Sequence, residues 1–154
     1  MAYFPAFICE NGHPVSTTAY SCPDKYCSIC GKAVISKCKN CGSTIRGDYD
    51  SQFGYIGEYE VPSYCPDCGK PYPWTIAASE ATMYMLEESE LSSDEQRKLI
   101  DILPDVLAET PKTQLASIRF KKAMSNAGSF IAEGLRDFAV EFGCELFKKY
   151  LGLP

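Results

Sequence analysis

Closely spaced cysteine pairs are the residues of this 154-residue chain whose type and spacing predict chemistry most directly. Three C-x2-C pairs occur, and each is followed by a glycine, within residues 27–31, 38–42 and 65–69. The two-residue gap lets one tight turn direct both sulfurs at a single ion, and zinc is held by thiolates at about 2.3 Å. The glycine can adopt a positive φ, which turns the backbone amides toward the thiolates. The pattern therefore predicts structural zinc.

Two closed tetrahedral sites need eight ligands, and the three pairs provide six of them. The candidates for the other two are Cys9, His13 and Cys22. Residues 9–13 place two good ligands around a glycine turn, whereas Cys22 precedes a proline and lies five residues before Cys27, outside the usual spacing. Cys22 in place of His13 stays open as the alternative. We assign two structural Zn²⁺ ions, the first to Cys9, His13, Cys27 and Cys30 and the second to Cys38, Cys41, Cys65 and Cys68.

Ligand order alone does not fix which pairs share an ion. In an interleaved arrangement, as in RING and related cross-brace domains, the first pair of ligands combines with the third and the second with the fourth. Sequential pairing is favoured because each two neighbouring pairs then close a compact ribbon, with hairpin-like sequence between Cys41 and Cys65.

The composition of the chain changes near residue 74, which predicts two architectures in series. Eight of the nine cysteines lie between Cys9 and Cys68, in sequence rich in turn-forming residues and poor in alternating apolar ones. Such a region needs metal to hold it together. Short strands are predicted at 32–36, 43–46 and 54–59. We predict a small α+β fold, with tandem zinc ribbons of short β-hairpins in residues 1–74 and an α-helical region in residues 75–154.

Helices are predicted throughout the second region. Thr75 is a suitable cap for the first helix. Ser93 stands three residues before Gln96, the spacing of a capping box that opens the second helix, which Pro104 should end or kink. A third helix is expected to begin near Pro111.

After Gly128, apolar residues recur at three- and four-residue steps and predict one long amphipathic C-terminal helix that ends near Gly152. The helical region is also electrically polarised, with a net charge of −7 over residues 79–109 and +3 over residues 110–154. The commonest meaning of such an apolar stripe is core packing or self-association, and the acidic segment offers a complementary surface in the same chain or a second copy. The stripe comprises Phe130, Ile131, Leu135, Phe138, Phe142 and Leu146.

Several classes of protein are disfavoured by the sequence. No window approaches the ~18 uncharged apolar residues of a membrane span, and no secretory leader is apparent, so we expect a cytoplasmic protein. P-loop, Rossmann and G-x-S-x-G patterns are missing. His13 is the only histidine, and once it binds zinc no histidine base remains for a nucleophile. We therefore expect no enzymatic activity.

The cysteine pattern, taken with its neighbours, resembles an uncharacterised bacterial double zinc-ribbon family. The resemblance is close over residues 7–75 and looser over residues 112–151. It implies a bacterial or phage-related origin and supports His13 as a ligand, but it implies no particular activity. The segments that carry it are Cys9-x2-Gly-His13, the three cysteine pairs, Ile45-Arg46-Gly47, Gly69-Lys70-Pro71 and Pro73-Trp74-Thr75.

These features favour a zinc-binding adaptor, a protein-interaction module that self-associates through its C-terminal helices. A nucleic-acid-binding zinc ribbon using Lys39 and Arg46 is the alternative, although six bases against seven acids in residues 1–74 give it weak support. A RING-like ligase cofactor is a weaker alternative, because it requires interleaved ligation. The second ribbon is rich in aromatic residues, which could stack on bases, fill a pocket of a partner or pack the core of the ribbon. They are Tyr49, Phe53, Tyr55, Tyr59, Tyr64 and Tyr72.

Overall fold

The computed structural model describes residues 3–51 and 57–154. The chain divides into two compact units, Met1–Ala77 and Ala78–Pro154. Short antiparallel strands and cysteine clusters form the first unit, and helices form the second, as the predicted α+β class requires. The boundary predicted at residue 74 falls inside the first helix, which begins at Pro73.

Within its described residues, the first unit contains two small antiparallel sheets. Strand β1 (Tyr3–Pro5) pairs with β5 (Arg46–Tyr49). The second sheet has the order β3-β2-β4, formed by β3 (Pro14–Ser16), β2 (Phe7–Cys9) and β4 (Val34–Ile35). The predicted strand at 32–36 is present as β4, whereas the one at 43–46 is displaced and begins at Arg46. Residues 54–56 of the strand predicted at 54–59 lie outside the described residues, and residues 57–59 are not in a strand.

The core of the first unit is small and includes two of the cysteines. Tyr72 and Trp74 stack with their ring centroids 4.8 Å apart, and the Trp74 indole donates a hydrogen bond to the Pro62 carbonyl at 2.8 Å. Burial of a few side chains of this kind stabilises a domain weakly, so metal ligation has to supply much of the folding free energy. The buried members are Ala6, Ile8, Cys38, Ile45, Cys65, Tyr72 and Trp74.

Five helices follow: α1 Pro73–Glu87, α2 Ser93–Leu107, α3 Thr113–Asn126, α4 Ser129–Phe142 and α5 Glu145–Leu151. Pro73 suits the first position of α1, where its missing N–H leaves no hydrogen bond unmade. The prediction that Thr75 caps this helix is wrong. Thr75 lies in the first turn, and its hydroxyl donates to the Ser63 carbonyl at 2.7 Å.

The capping box of α2 exists, but it is shifted by one residue. Ser92 is the N-cap and Glu95 is the reciprocal partner, in place of the predicted Ser93 and Gln96. Pro104 does not end the helix, which continues to Leu107. The apolar face of α2 is buried through its last turn, and that burial outweighs the backbone hydrogen bond that a proline removes. Ile102, Leu103, Val106 and Leu107 form this buried end.

The single long C-terminal helix predicted after Gly128 is also wrong, because the chain breaks into α4 and α5 at Gly143 and Cys144. The Cys144 amide leaves the helical pattern and donates to the Val106 carbonyl at the end of α2, at 2.8 Å. A Cβ at Gly143 would lie 2.4 Å from the Ala139 carbonyl oxygen and 2.9 Å from the Phe147 ring. The break therefore depends on glycine and on a neighbouring helix.

The second unit has a continuous core among its helices. Leu135 and Phe138 of the predicted apolar stripe belong to it, whereas Phe130 is 84% exposed. Phe120 and Phe147 meet edge to face with their centroids 5.2 Å apart. The buried set is Ala78, Leu86, Leu91, Leu99, Ile102, Leu103, Val106, Leu107, Ala116, Phe120, Ala123, Leu135, Phe138, Ala139 and Phe147.

Candidate metal centres

The three C-x2-C-G segments fold into the same turn. In each, the amide of the first cysteine donates to the carbonyl five residues on, and the glycine amide donates back to the carbonyl of the first cysteine at 2.8 Å. An antiparallel bridge closes the base of every turn. The glycines have φ of 71° to 77°, and a Cβ on any of them would meet nothing within 4 Å. Backbone conformation, and not crowding, therefore favours glycine here.

The fourth ligand pair is built on the turn between β2 and β3. The Gly12 amide donates to the Cys9 carbonyl at 2.8 Å, and the Cys9 amide donates to the His13 carbonyl at 3.0 Å. The His13 amide also donates to Cys9 Sγ at 3.3 Å, which stabilises a thiolate at that sulfur. Gly12 has a φ of 90°, and a Cβ there would lie 3.0 Å from Trp74 Cβ. Both the conformation and the packing of this turn thus favour glycine.

These turns bring the first four predicted ligands together. His13 Nδ1 lies 3.4 Å from Cys9 Sγ and 3.6 Å from Cys27 Sγ, and Cys9 Sγ lies 3.6 Å from Cys30 Sγ. All four ligand atoms are within 4.8 Å of one another. Cys9 and Cys27 are buried while Cys30 is exposed, so the site lies at the surface with one side in the protein.

The second site is formed by the other two turns. Cys38 Sγ lies 3.8 Å from Cys68 Sγ, and Cys41 Sγ lies 3.7 Å from Cys65 Sγ. Cys38 and Cys65 belong to the apolar core of the unit, and Cys41 faces solvent. This site therefore joins the second and third cysteine turns at the core of the first unit.

The distances fit tetrahedral zinc. With Zn–S near 2.3 Å and Zn–N near 2.0 Å, tetrahedral angles put two thiolates about 3.8 Å apart and a thiolate and an imidazole nitrogen about 3.5 Å apart. The observed separations of 3.4–3.8 Å match both values. A disulfide would require about 2.05 Å, and all nine cysteines are free thiols. The two clusters thus fit two structural zinc ions.

Hydrogen bonds to the sulfurs favour the thiolate form that metal binding requires. The Lys32 amide is the main cause that lowers the pKa of Cys30 to about 6. Desolvation by burial acts to raise the pKa of Cys65, but amides of Cys68 and Asp67 outweigh it and bring the value to about 6. The Ser43 hydroxyl, 3.3 Å from Cys41 Sγ, lowers the pKa of Cys41.

Side chains around the ligands were less evident from the sequence. Tyr72 is buried and hydrogen-bonds Cys65, and burial is the first cause that raises its pKa. The position of Ser43, two residues after a ligand, was the available indication of its role. Tyr72 was visible only as one aromatic residue among six. Tyr59 donates its hydroxyl to the Arg46 carbonyl at 2.6 Å, and burial raises its pKa to about 12.

The structure separates the alternatives that the sequence left open. Cys22 lies outside both clusters, and its Sγ is 3.9 Å from the Asp24 carbonyl oxygen. Ligands group sequentially along the chain, so the interleaved ligation required by a RING-like ligase cofactor is not the one found. Of the aromatic residues named above, Phe53 and Tyr55 lie outside the described residues.

The two basic residues considered for nucleic-acid binding are engaged within the protein. Lys39, in the second turn, forms an ion pair with Glu10 beside Cys9. Arg46 lies over the ring of Tyr3, with its guanidinium carbon 5.7 Å from the centroid. Tyr3 also packs edge to face on Tyr49 at 5.4 Å. The ion pair links the segments of the two metal sites, and the contacts of Arg46 and Tyr3 lie within the sheet of β1 and β5.

The fold and the site together define a small α+β protein with two sequential Cys/His zinc sites followed by a helical unit. The chain belongs to the family described as "Uncharacterized protein conserved in bacteria (DUF2321)", whose model matches residues 2–151. The resemblance to an uncharacterised bacterial family is thereby confirmed. Neither the curated proteins nor the solved structures include a significant match to the chain. In the part of the chain that the structure describes, no helix is long and apolar enough to cross a membrane.

Proposed function

We propose that this protein is a non-enzymatic, zinc-stabilised adaptor, whose first cysteine turn binds a protein partner and whose helical unit self-associates. Both metal sites have a full set of four protein ligands. A catalytic zinc keeps one position open for water or substrate, whereas a structural zinc does not. The metal therefore contributes folding free energy, and function falls to the surfaces that it holds in place.

The observation that carries the proposal is an exposed apolar pair on the first turn. Ile29 is 74% exposed and Tyr26 is 67% exposed. Asn40 and Asp67 occupy the position of Ile29 in the other two turns, whose backbone geometry is the same. An apolar residue is thus unnecessary for forming the turn. Among the three turns, the first alone has an exposed isoleucine at this position. This exposure favours a binding surface there, because rigidly held apolar and aromatic side chains serve well as interface anchors.

The three equivalent turns also provide a matched experiment. Zinc-loaded protein is used as bait in a nuclease-treated bacterial extract, and bound proteins are quantified by mass spectrometry. We expect Ile29→Glu to lose the specific partner. Asn40→Glu introduces the same residue at the equivalent position of the second turn and should retain the partner. Both variants should bind two zinc ions, because neither residue is a ligand.

Two results would overturn the proposal. One is that wild-type bait enriches no protein above a bait unfolded by chelation. The other is that Ile29→Glu and Asn40→Glu retain identical partners. Enrichment that occurs only in a parallel extract without nuclease treatment would point to nucleic acid in place of a protein.

A further inference from the structure

A groove lies between α2 and α3 in the second unit. It has a volume of about 410 Å³, and the buried residues Leu99 and Ala123 are among its lining. Glu95 is already engaged there, because its carboxylate accepts from the Ser92 amide at 3.0 Å and from the Asn126 amide group at 3.2 Å. The lining comprises Glu95, Lys98, Leu99, Arg119, Lys122, Ala123 and Asn126.

The face of α3 that borders the groove combines positive charge with exposed apolar side chains. Among the residues the structure describes, Arg119 and Lys122 take part in no ion pair. Leu115 is 46% exposed and Ile118 is 60% exposed. The spacing of these four residues places them on one side of the helix. This α3 face therefore suits a partner that is both apolar and acidic.

A stripe with those properties occurs on α1 of the same chain. Ile76, Met83 and Tyr84 are exposed, and Tyr84 is the most open of them at 67%. Glu80 and Glu87 are also exposed and fall on the same side of the helix as the three apolar residues. Met83 and Tyr84 follow Ile76 by seven and eight residues, a spacing that puts apolar side chains on one face of an amphipathic helix, and such a face can dock in a groove.

The two surfaces also agree in length. The α1 stripe runs from Ile76 to Glu87, and the α3 face with its groove runs from Leu115 to Asn126. Each spans about 17 Å at the rise of an α-helix. The segments carry opposite charge, since residues 76–87 contain two acids and no base, whereas residues 115–126 contain three bases and no acid.

We propose that the α1 stripe of one copy docks on the α2–α3 groove and α3 face of a second copy. The inference rests on the self-association in the proposed function and names the surfaces responsible. If each copy contributes both surfaces, two reciprocal contacts close a two-fold dimer. Glu80 and Glu87 then meet Arg119 and Lys122, and Ile118 and Leu115 are covered by Met83 and Tyr84.

A charge exchange tests this pairing, using full-length, zinc-loaded protein and analytical ultracentrifugation. Wild type should sediment as a dimer whose dissociation constant rises with salt. Each of the double variants Glu80→Lys/Glu87→Lys and Arg119→Glu/Lys122→Glu brings like charges together in both contacts. The dissociation constant should therefore rise by roughly a hundredfold. An equimolar mixture of the two should form heterodimers, since both contacts are then complementary: the reversed α1 meets the reversed α3, and the wild-type α1 meets the wild-type α3.

Folding and the specific effect are separated by controls. Helical circular dichroism should be unchanged in both variants, and Lys148→Glu/Lys149→Glu, an equal charge change on α5, should remain dimeric. A wild type that stays monomeric at high concentration would overturn both the inference and the self-association in the proposed function, and would leave the Ile29 experiment unaffected. Dimers that persist in both reversed variants, or a mixture that stays monomeric, would overturn it as well.

Discussion

Replacing Cys65 and Cys68 by serine removes both ligands that the third cysteine turn gives to the second site. A serine hydroxyl stays protonated near neutral pH and is a poor zinc ligand, so only Cys38 and Cys41 would remain. Zinc in structural sites contributes about 10–16 kcal/mol, comparable with the whole stability of a small domain. The core around Cys65 and Tyr72 is too small to replace that contribution.

We expect zinc per chain to fall from two to one in this double variant. The first site should keep its zinc ion, because all four of its ligands lie in the turns of residues 9–13 and 27–32, and each turn is closed by its own backbone hydrogen bonds. Second-site loss should also release Trp74 from its stacked position on Tyr72, which lowers and red-shifts the tryptophan emission. Trp74 is the only tryptophan in the chain, so the emission reports on this core alone.

Zinc is measured by elemental mass spectrometry after gel filtration, with protein quantified by amino-acid analysis. Cys22→Ser is the matched control, since Cys22 lies outside both clusters, and it should keep two zinc ions. A value near two for the double variant would refute the assignment of the second site. A value near zero would refute the local closure of the first site, and a loss of zinc in Cys22→Ser would refute the choice of His13.

Three further predictions concern stability. Gly47→Ala places a Cβ 2.5 Å from the Thr17 carbonyl oxygen, so it should clearly lower the melting temperature of the first unit. Gly42→Asn should lower the melting temperature little, because Asn tolerates φ near 77° and a Cβ there would meet nothing within 4 Å. Equal losses of melting temperature in thermal denaturation would contradict this prediction. Phe120→Ala should cost about 3–5 kcal/mol in urea denaturation, against less than about 0.5 kcal/mol for the exposed Phe130→Ala, and similar costs would show that the core is misplaced. The Ser92 amide is the main cause that holds the pKa of Glu95 below its ordinary 4.5. The ionised Glu95 carboxylate therefore stabilises α2 fully above pH 4.5, and this stabilisation is lost as the pH falls through the lower pKa of the folded state. A carboxyl titration by NMR should give a midpoint below 4.5, and Glu95→Gln should remove the acid-dependent part of the helix stability; a midpoint at or above 4.5 would count against the capping box.

Local patterns predicted the features of this protein that depend on a few neighbouring residues. The C-x2-C-G segments fold as three equal turns because a two-residue gap and a positive φ at glycine are properties of a single turn. The capping box was misplaced by one residue, since two serines precede α2 and only the backbone conformation distinguishes Ser92 from Ser93. Sequence spacing also predicted two zinc ions, because four ligands for each ion is a rule of zinc chemistry.

Long-range packing decided the rest. Pro104 stays inside α2 because apolar residues beyond it are buried, and the C-terminal helix breaks because the Cys144 amide finds the Val106 carbonyl on another helix. The choice between His13 and Cys22, and between sequential and interleaved sites, depends on where distant segments meet, which ligand spacing does not specify. The sequence by itself therefore determined that the chain holds zinc and with which kinds of ligand. Only the tertiary structure decided which ligands share an ion, because tetrahedral coordination is satisfied by atoms close in space whatever their separation along the chain.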